Sequence, residues 1–494
     1  MRLNKTIGIM LNIIGREYEI AELQRLKESK SPELVAVYGR RRVGKTFLIR
    51  EFFQNQFAFY HTGVSPLEVS GKQLVKRQLE EFFVSLRDYG LKDATCPASW
   101  PEAFRLLRRL LEQLPIDGKH VVFLDELPWM DTPRSGFITA FEHFWNGWAS
   151  SRPELLLIVC GSATSWIKDN LINNKGGLYG RITYELKLAP FSLHECEAFY
   201  KDKGIELDRY DIVQSYMAIG GIPYYMNYFR QGLSLAQNID RLFFVTNAPL
   251  RTEFDRLFRS LFGNAEESAA IVRLLASRRF GFTRKEISEK TGIASGGTLS
   301  KTLAALVNSD FVMPFTPLDE GREVYYKLID NFCLFYLNFV EGKNITDEQY
   351  WQHSVMSPAL SAWQGFAFEE VCFSHSRQIK GALGISGVQT QLSSLIIPKD
   401  DSGAGTQIDL IIDRADRVIN LCEIKFTNKE YVIDSDYEQK LRYRVARVRE
   451  LTKDKKNIHL TLITTYGLHY NPYSGRIQKT VVMDDLFERD LFTP

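Results

Sequence analysis

Gly39-Arg40-Arg41-Arg42-Val43-Gly44-Lys45-Thr46 fits the pattern G-x-x-x-x-G-K-[ST]. In a loop of this kind the backbone N–H groups wrap phosphate oxygens. The lysine reaches the β- and γ-phosphates, and the hydroxyl can ligate Mg²⁺. The flanks separate such a loop from a chance Gly/Lys turn. Residues 34–38 (LVAVY) are a short apolar run that predicts a buried parallel strand. Residues 46–53 read as a helix. Strand, glycine loop and helix, in that order, put a helix N-terminus under a phosphate. The expected cradle therefore runs from Gly39 through Thr46 to Phe47. Arg40, Arg41 and Arg42 fill its variable positions, where they add positive potential around a triphosphate.

A phosphate loop of this type needs an acidic partner on a neighbouring strand. Residues 120–126 read HVVFLDE, an apolar run ending in Asp125 and Glu126. A buried strand ending so sets both carboxylates at the carboxyl edge of the sheet, where ligands of open α/β sheets bind. Asp125 is expected to hold the Mg²⁺ shell and Glu126 to orient and polarise an attacking water. A further strand, residues 155–160 (LLLIVC), leads into Gly161-Ser162-Ala163-Thr164. Ser162 and Thr164 both qualify as hydroxyls sensing the γ-phosphate or the water. Residues 57–61 (FAFYH) read as another strand, and an extra strand between the two motif strands suits ATPases that use a catalytic glutamate.

The 494 residues suggest about three domains. Hydrophobic and charged fractions of 45% and 25% are those of a globular protein. No run reaches the ~18 apolar residues of a membrane helix. The N-terminal stretch lacks a long apolar region and a small-residue cleavage site, so it does not read as a signal peptide. The six cysteines are far apart, with no C-x-x-C pair, which argues against a zinc site and a disulfide framework and for a cytoplasmic setting. A net charge of +2 confines any nucleic-acid surface to a local patch.

Ile14-Gly15-Arg16-Glu17 precedes the loop. GGLYGRIT (176–183), LAPFS (188–192) and Gly220-Gly221-Ile222-Pro223-Tyr224 follow it. Together these motifs resemble the archaeal-type ATPases of the STAND and AAA+ branches, over about residues 10–340. The resemblance implies Gly15 and Arg16 near the adenine, Pro223 touching the nucleotide from a helical lid, and Arg181 as a charge-stabilising arginine in cis or in trans. An ordinary salt bridge is the alternative for Arg181.

In the middle of the chain, residues 266–276 have helical apolar spacing. Thr283-Arg284-Lys285-Glu286 is a capping-box pattern opening a second helix, which Gly292 ends. Residues 296–308 make a third helix. Residues 311–313 and 324–326 read as a hairpin around Asp319-Glu320-Gly321. Three helices and a hairpin predict a winged helix-turn-helix. Lys301 is nearly alone among Thr298, Ser300 and Thr302 on the helix that would enter a major groove. Interdomain packing and DNA contact both remain open readings of this module.

The last third carries a second constellation. Residues 407–412 (QIDLII) and 418–426 (VINLCEIKF) are strands around a polar turn. Glu423 and Lys425, two apart, face one side. A hairpin bringing Asp409 to them gives a D…E-x-K cluster, able to hold a divalent cation and stabilise phosphate charge. Residues 365–370 open a helix from which Glu369 or Glu370 can add a carboxylate. This segment, about residues 355–485, resembles the restriction-endonuclease-like PD-(D/E)xK family, with Ile408 where the family's proline would stand. The resemblance implies a second divalent cation at Glu369, Asp409 and Glu423. Beyond it, Lys440, Arg442, Arg444, Arg447, Arg449, Lys453, Lys455 and Lys456 make the best phosphate-backbone patch in the chain, facing DNA or solvent.

The sequence thus predicts an α/β protein: an ATPase core (1–195), a helical lid (196–262), a winged helix (263–340) and an endonuclease-like domain (341–494). ATP and Mg²⁺ are the expected cofactors, DNA is a candidate partner, and oligomerisation is open. Three functions compete: an ATPase coupled to a nuclease, a slow ATP switch, and a nucleotide-dependent scaffold with an inactive endonuclease-like fold.

Overall fold

A computed structural model describes residues 12–66, 72–318, 323–343, 346–397, 405–453 and 455–489. The N-terminal apolar stretch and the Asp319-Glu320-Gly321 turn lie outside them. The chain divides into two compact units, residues 1–189 and residues 190–493.

The first unit is built on five parallel strands: β1 (Glu33–Tyr38), β2 (Phe59–Thr62), β3 (His120–Asp125), β4 (Leu155–Gly161) and β5 (Tyr184–Lys187). Their order across the sheet is β2-β3-β4-β1-β5. β1, β3 and β4 are buried along their whole length, as expected of strands covered on both faces. One face packs against helices Lys72–Asp88, Trp100–Glu112 and Phe137–Gly147 through an aromatic core that includes Phe82, Trp100, Phe104, Phe137 and Phe141. The strand that separates the two motif strands is β4. The 57–61 segment instead becomes edge strand β2 beside β3, which corrects the expectation of an inserted strand there. β4 thereby leads Ser162 out between the loop after β1 and the acids after β3.

In the second unit, helices Arg209–Ile219, Asn331–Phe339 and Pro358–Ser374 pack on one another. Gly220 and Gly221 break the chain between Arg209–Ile219 and the short helix Pro223–Met226. At Gly221 the φ of 63° and the close approach of the Phe191 carbonyl, 2.4 Å from where a Cβ would stand, leave room only for glycine. Residues 265–328 follow with helices Ala265–Ala276, Arg284–Thr291 and Gly297–Asn308 and the strands β6 (Phe282–Thr283), β7 (Val312–Phe315) and β8 (Tyr325–Leu328), in sheet order β6-β8-β7. The capping box forms as its sequence predicts. Thr283 Oγ1 accepts from the Glu286 N–H at 3.2 Å, and Glu286 Oε2 accepts from the Thr283 N–H at 2.7 Å.

The chain then builds a second five-stranded sheet from β9 (Thr390–Ile397), β10 (Thr406–Arg414), β11 (Val418–Lys425), β13 (Asn457–Thr464) and β15 (Lys479–Val482), ordered β15-β13-β11-β10-β9. β12 (Tyr431–Val432) and β14 (Leu468–His469) pair separately. β9, β10 and β11 are antiparallel, whereas β11, β13 and β15 are parallel. Helix Ser435–Leu451 covers one face through Leu441 and Val448 against Ile411, Leu421 and Leu462. The helix that carries Glu369 starts at Pro358, capped by Ser357, seven residues before the predicted opening. Glu369 and Glu370 therefore sit inside it rather than in its first turns.

Candidate functional site

The phosphate loop is shaped by its glycines. Gly39 has φ 142°, and a Cβ there would stand 2.1 Å from the Leu188 carbonyl oxygen. Gly44, at φ 94°, leads into helix Lys45–Phe52. Arg16 Nη2 donates to the Val43 carbonyl at 3.3 Å and to the Ala189 carbonyl at 2.7 Å. The buried Arg16 is thus a strut behind the loop, its guanidinium held by these main-chain oxygens and by Glu19 Oε1 at 3.2 Å. Gly15 precedes it at φ 64°. Of the three loop arginines, Arg40 is buried and Arg41 and Arg42 are half-buried. Phe47 is exposed on the helix that follows.

Lys45 Nζ lies over the loop, donating to the carbonyls of Gly39 at 2.9 Å and Arg40 at 3.0 Å. Thr46 Oγ1 donates to Asp125 Oδ2 at 2.8 Å, joining loop and acid strand. Burial, then the charge of Glu126, push the Asp125 carboxyl above its usual range. Glu126 occupies a left-handed backbone position, φ 47° and ψ 47°, and its carboxylate turns to β4. It accepts from Ser162 Oγ at 2.9 and 3.0 Å and from the Ser162 N–H at 3.2 Å. This separates the two hydroxyl candidates: Ser162 grips Glu126, while Thr164 is buried at the start of the next helix. Arg181 is exposed and makes no salt bridge among the described residues. Pro223 opens its short helix in the second unit.

The second constellation gathers differently. β10 and β11 pair Leu410 with Cys422, so Asp409 and Glu423 follow side by side. Each pushes the Asp409 carboxyl upward: burial first, then the Glu423 charge. Glu369 is raised by burial and by Asp409. The acids therefore converge, but Glu369, Glu370 and Glu423 each meet a base from the chain itself. Glu423 is fully buried, bound by Arg444 Nη1, and it accepts from Tyr437 Oη at 2.7 Å. Lys425 Nζ stands 3.9 Å from it. Arg279 Nη1 reaches Glu369 at 3.4 Å, and Lys327 Nζ reaches Glu370 at 2.5 Å. Among the described residues no group of three or more His, Cys, Asp and Glu side chains is arranged to hold a metal ion. The cation expected at Glu369, Asp409 and Glu423 does not fit this arrangement, because Arg279 holds the Glu369 carboxylate and Arg444 that of Glu423.

The basic helix is also more compensated than its sequence suggests. Arg444 is turned inward, Arg442 pairs with Glu438 at 2.6 Å, Arg447 with Glu450 at 2.5 Å, and Lys456 with Asp413 at 2.5 Å. Lys440, Arg449 and Lys455 stay exposed. Arg279, Lys327, Tyr437 and the counter-ion role of Arg444 escaped the sequence reading. The one visible signal was Lys327 in the otherwise apolar and aromatic strand YYKL, a charge on an inward register. Among the described residues no helix is long and apolar enough to cross a membrane.

A family described as an ATPase domain predominantly from Archaea matches residues 13–229. The chain is 25% identical over 365 residues to an uncharacterized protein of Methanocaldococcus jannaschii, covering 72% of this chain and 76% of that one. It is 41% identical over 49 residues to an uncharacterized ATP-binding protein of the same organism, covering 10% of this chain and 81% of that one. Among solved structures it is similar to the Walker-type ATPase of Pyrococcus abyssi, at 19% identity and a TM-score of 0.44, over 66% of this chain and 96% of that one.

Proposed function

We propose that this protein binds and hydrolyses ATP at Lys45, Thr46, Asp125 and Glu126, a reading supported by the match of residues 13–229 to an ATPase domain family described as predominantly from Archaea. The observation that carries the reading is the Thr46–Asp125 bond of 2.8 Å at the mouth of the loop. It brings together the hydroxyl and the carboxylate of a Mg²⁺ shell, with no guanidinium or ammonium group set against that carboxylate among the described residues. Thr46 and Asp125 would hold the Mg²⁺, which when bound supplies charge neutralisation on the β- and γ-phosphates. Lys45 binds those phosphates, Glu126 orients the water, and Arg181 stabilises transferring charge from its exposed loop. Phosphate release with Lys45→Ala tests this: loss of turnover is expected, and normal turnover would refute the site.

The Ser162–Glu126 contact favours a slow-turnover switch as the working mode. A carboxylate accepting from both the hydroxyl and the N–H of one residue is withheld from water until that grip is released. Ser162→Ala should then raise basal turnover. A fall would make Ser162 a positioning residue of a faster enzyme.

Residues 196–262 we take as the helical lid, residues 263–340 as a winged helix, and residues 341–494 as an endonuclease-like body facing nucleic acid through Lys440, Arg449 and Lys455. Binding to a DNA duplex should weaken with salt, and more steeply in the wild type than in a triple Gln variant of those three residues. Equal salt slopes would remove DNA from the account. The buried base partners of Glu369, Glu370 and Glu423 favour a body that binds without cutting. All six cysteines stand as thiols, which supports a cytoplasmic setting.

A further inference from the structure

Phe366, Glu369, Glu370 and Phe373 recur at helical spacing along Pro358–Ser374, so they share one face. Two cations from residues 265–328 land on that face. Arg279 lies over the Phe366 ring and bonds Glu369. Lys327 lies 4.6 Å from the Phe373 ring centroid and bonds Glu370, with both side chains under a tenth exposed. Each cation is thus held by one carboxylate and one aromatic face, a pairing that selects a positive charge twice over.

As a stabilising device this is a poor choice. Buried ion pairs often do no better than apolar side chains of similar volume, because desolvation offsets the attraction. As charge balance it is necessary. Glu369, Glu370, Asp409 and Glu423 stand against Arg279, Lys327, Lys425 and Arg444: Arg279 acts on Glu369, Glu370 and Asp409, and Lys327, Lys425 and Arg444 act on Asp409. Without Arg279 and Lys327, four buried acids keep only two bases. Glu370 Oε2 is already buried with no hydrogen-bond partner among the described residues.

We propose that residues 265–328 form an electrostatic seal on the acidic cluster, with Arg279 and Lys327 in the place a divalent cation would take. Docking of the module and cation binding at Glu369, Glu370 and Asp409 are then mutually exclusive. The winged-helix segment gains a role that needs no DNA contact, consistent with its poor recognition helix. This deepens the endonuclease-like reading of residues 341–494 and rests on it, since the sealed acids include that cluster.

Mn²⁺ titration of the full-length chain, read by electron paramagnetic resonance without nucleotide, tests the seal. The wild type should bind none at the cluster. Arg279→Gln with Lys327→Met should gain one Mn²⁺ per chain, and adding Asp409→Asn should remove it. A wild-type Mn²⁺ that Asp409→Asn abolishes would overturn the proposal. So would a folded double variant, judged by circular dichroism, that gains none. If the double variant unfolds, Arg279→Gln alone decides by the same two outcomes, since the Arg279 side chain is 36% exposed. ATP turnover measured on the same samples keeps the two claims apart: the seal can fail with turnover intact, and absent wild-type turnover would count against the ATPase reading alone.

Discussion

The phosphate loop and the C-terminal cluster both gather Asp, Glu and Lys side chains, yet they treat their carboxylates oppositely. Asp125 and Glu126 are met by hydroxyls, from Thr46 and Ser162. Glu423, Glu369 and Glu370 are met by Arg444, Arg279 and Lys327. A hydroxyl leaves the negative charge uncompensated and available to a metal ion; a buried guanidinium or ammonium cancels it. Whether acids at a sheet edge make a cation site is decided by the charge of their neighbours, and that is settled by residues far away in the sequence.

The largest effect expected is on chemistry at the first region. Lys45→Ala should cut turnover by about 10²–10³-fold, the range for removing one preorganised charge-stabilising group. Phosphate release measures it, and a loss under tenfold would break the comparison from the ATPase side. Stability should separate the regions next. Arg444→Leu leaves the buried Glu423 with only the Tyr437 hydroxyl and the more distant Lys425 ammonium, at a cost of about 3 kcal/mol in denaturant unfolding. Asp125→Asn should cost less than about 1 kcal/mol and can stabilise, because burial already disfavours the Asp125 charge. Comparable losses in the two variants would erase the distinction.

One feature the regions share is a buried neutral histidine. His61 bonds Ser85 Oγ at 2.9 Å. His375 donates from Nδ1 to the Val371 carbonyl at 2.8 Å and accepts from the Leu193 N–H at Nε2, 3.0 Å. Burial lowers both from 6.5 to about 4. The unfolded chain therefore binds more protons between those values, so stability is full above pH 6.5 and falls as pH drops toward 4. Each histidine accounts for up to about 3 kcal/mol of that loss. His375→Gln should flatten the pH dependence of unfolding of the second unit, and an unchanged slope would contradict it. The smallest effect is local. Thr283→Ala removes the capping box of Arg284–Thr291 and should cost about 1 kcal/mol by thermal unfolding, with no change in turnover.

What was legible in the sequence follows from range. The loop, its strand and helix, the acid strand and the capping box are contiguous patterns, and β1, β3, β4 and Thr283–Glu286 form where those patterns lie. The sequence also pairs Asp409 with Glu423, since a hairpin is local. It does not disclose that β4 rather than residues 57–61 lies between the motif strands, because strand order is a long-range property. Nor does it disclose that Ser162 takes the Glu126 carboxylate, or that Arg279 and Lys327 meet a helix some forty to ninety residues on. Residues 437–456 read as more basic than they are because Arg444 and Lys456 meet acids of other elements, Glu423 and Asp413.

The most direct measurement is the Mn²⁺ stoichiometry of the full-length protein with a slowly hydrolysed ATP analogue, counted by electron paramagnetic resonance. One Mn²⁺ per chain is predicted, lost in Asp125→Asn and unchanged in Asp409→Asn. Two per chain, with one removed by Asp409→Asn, would contradict the account.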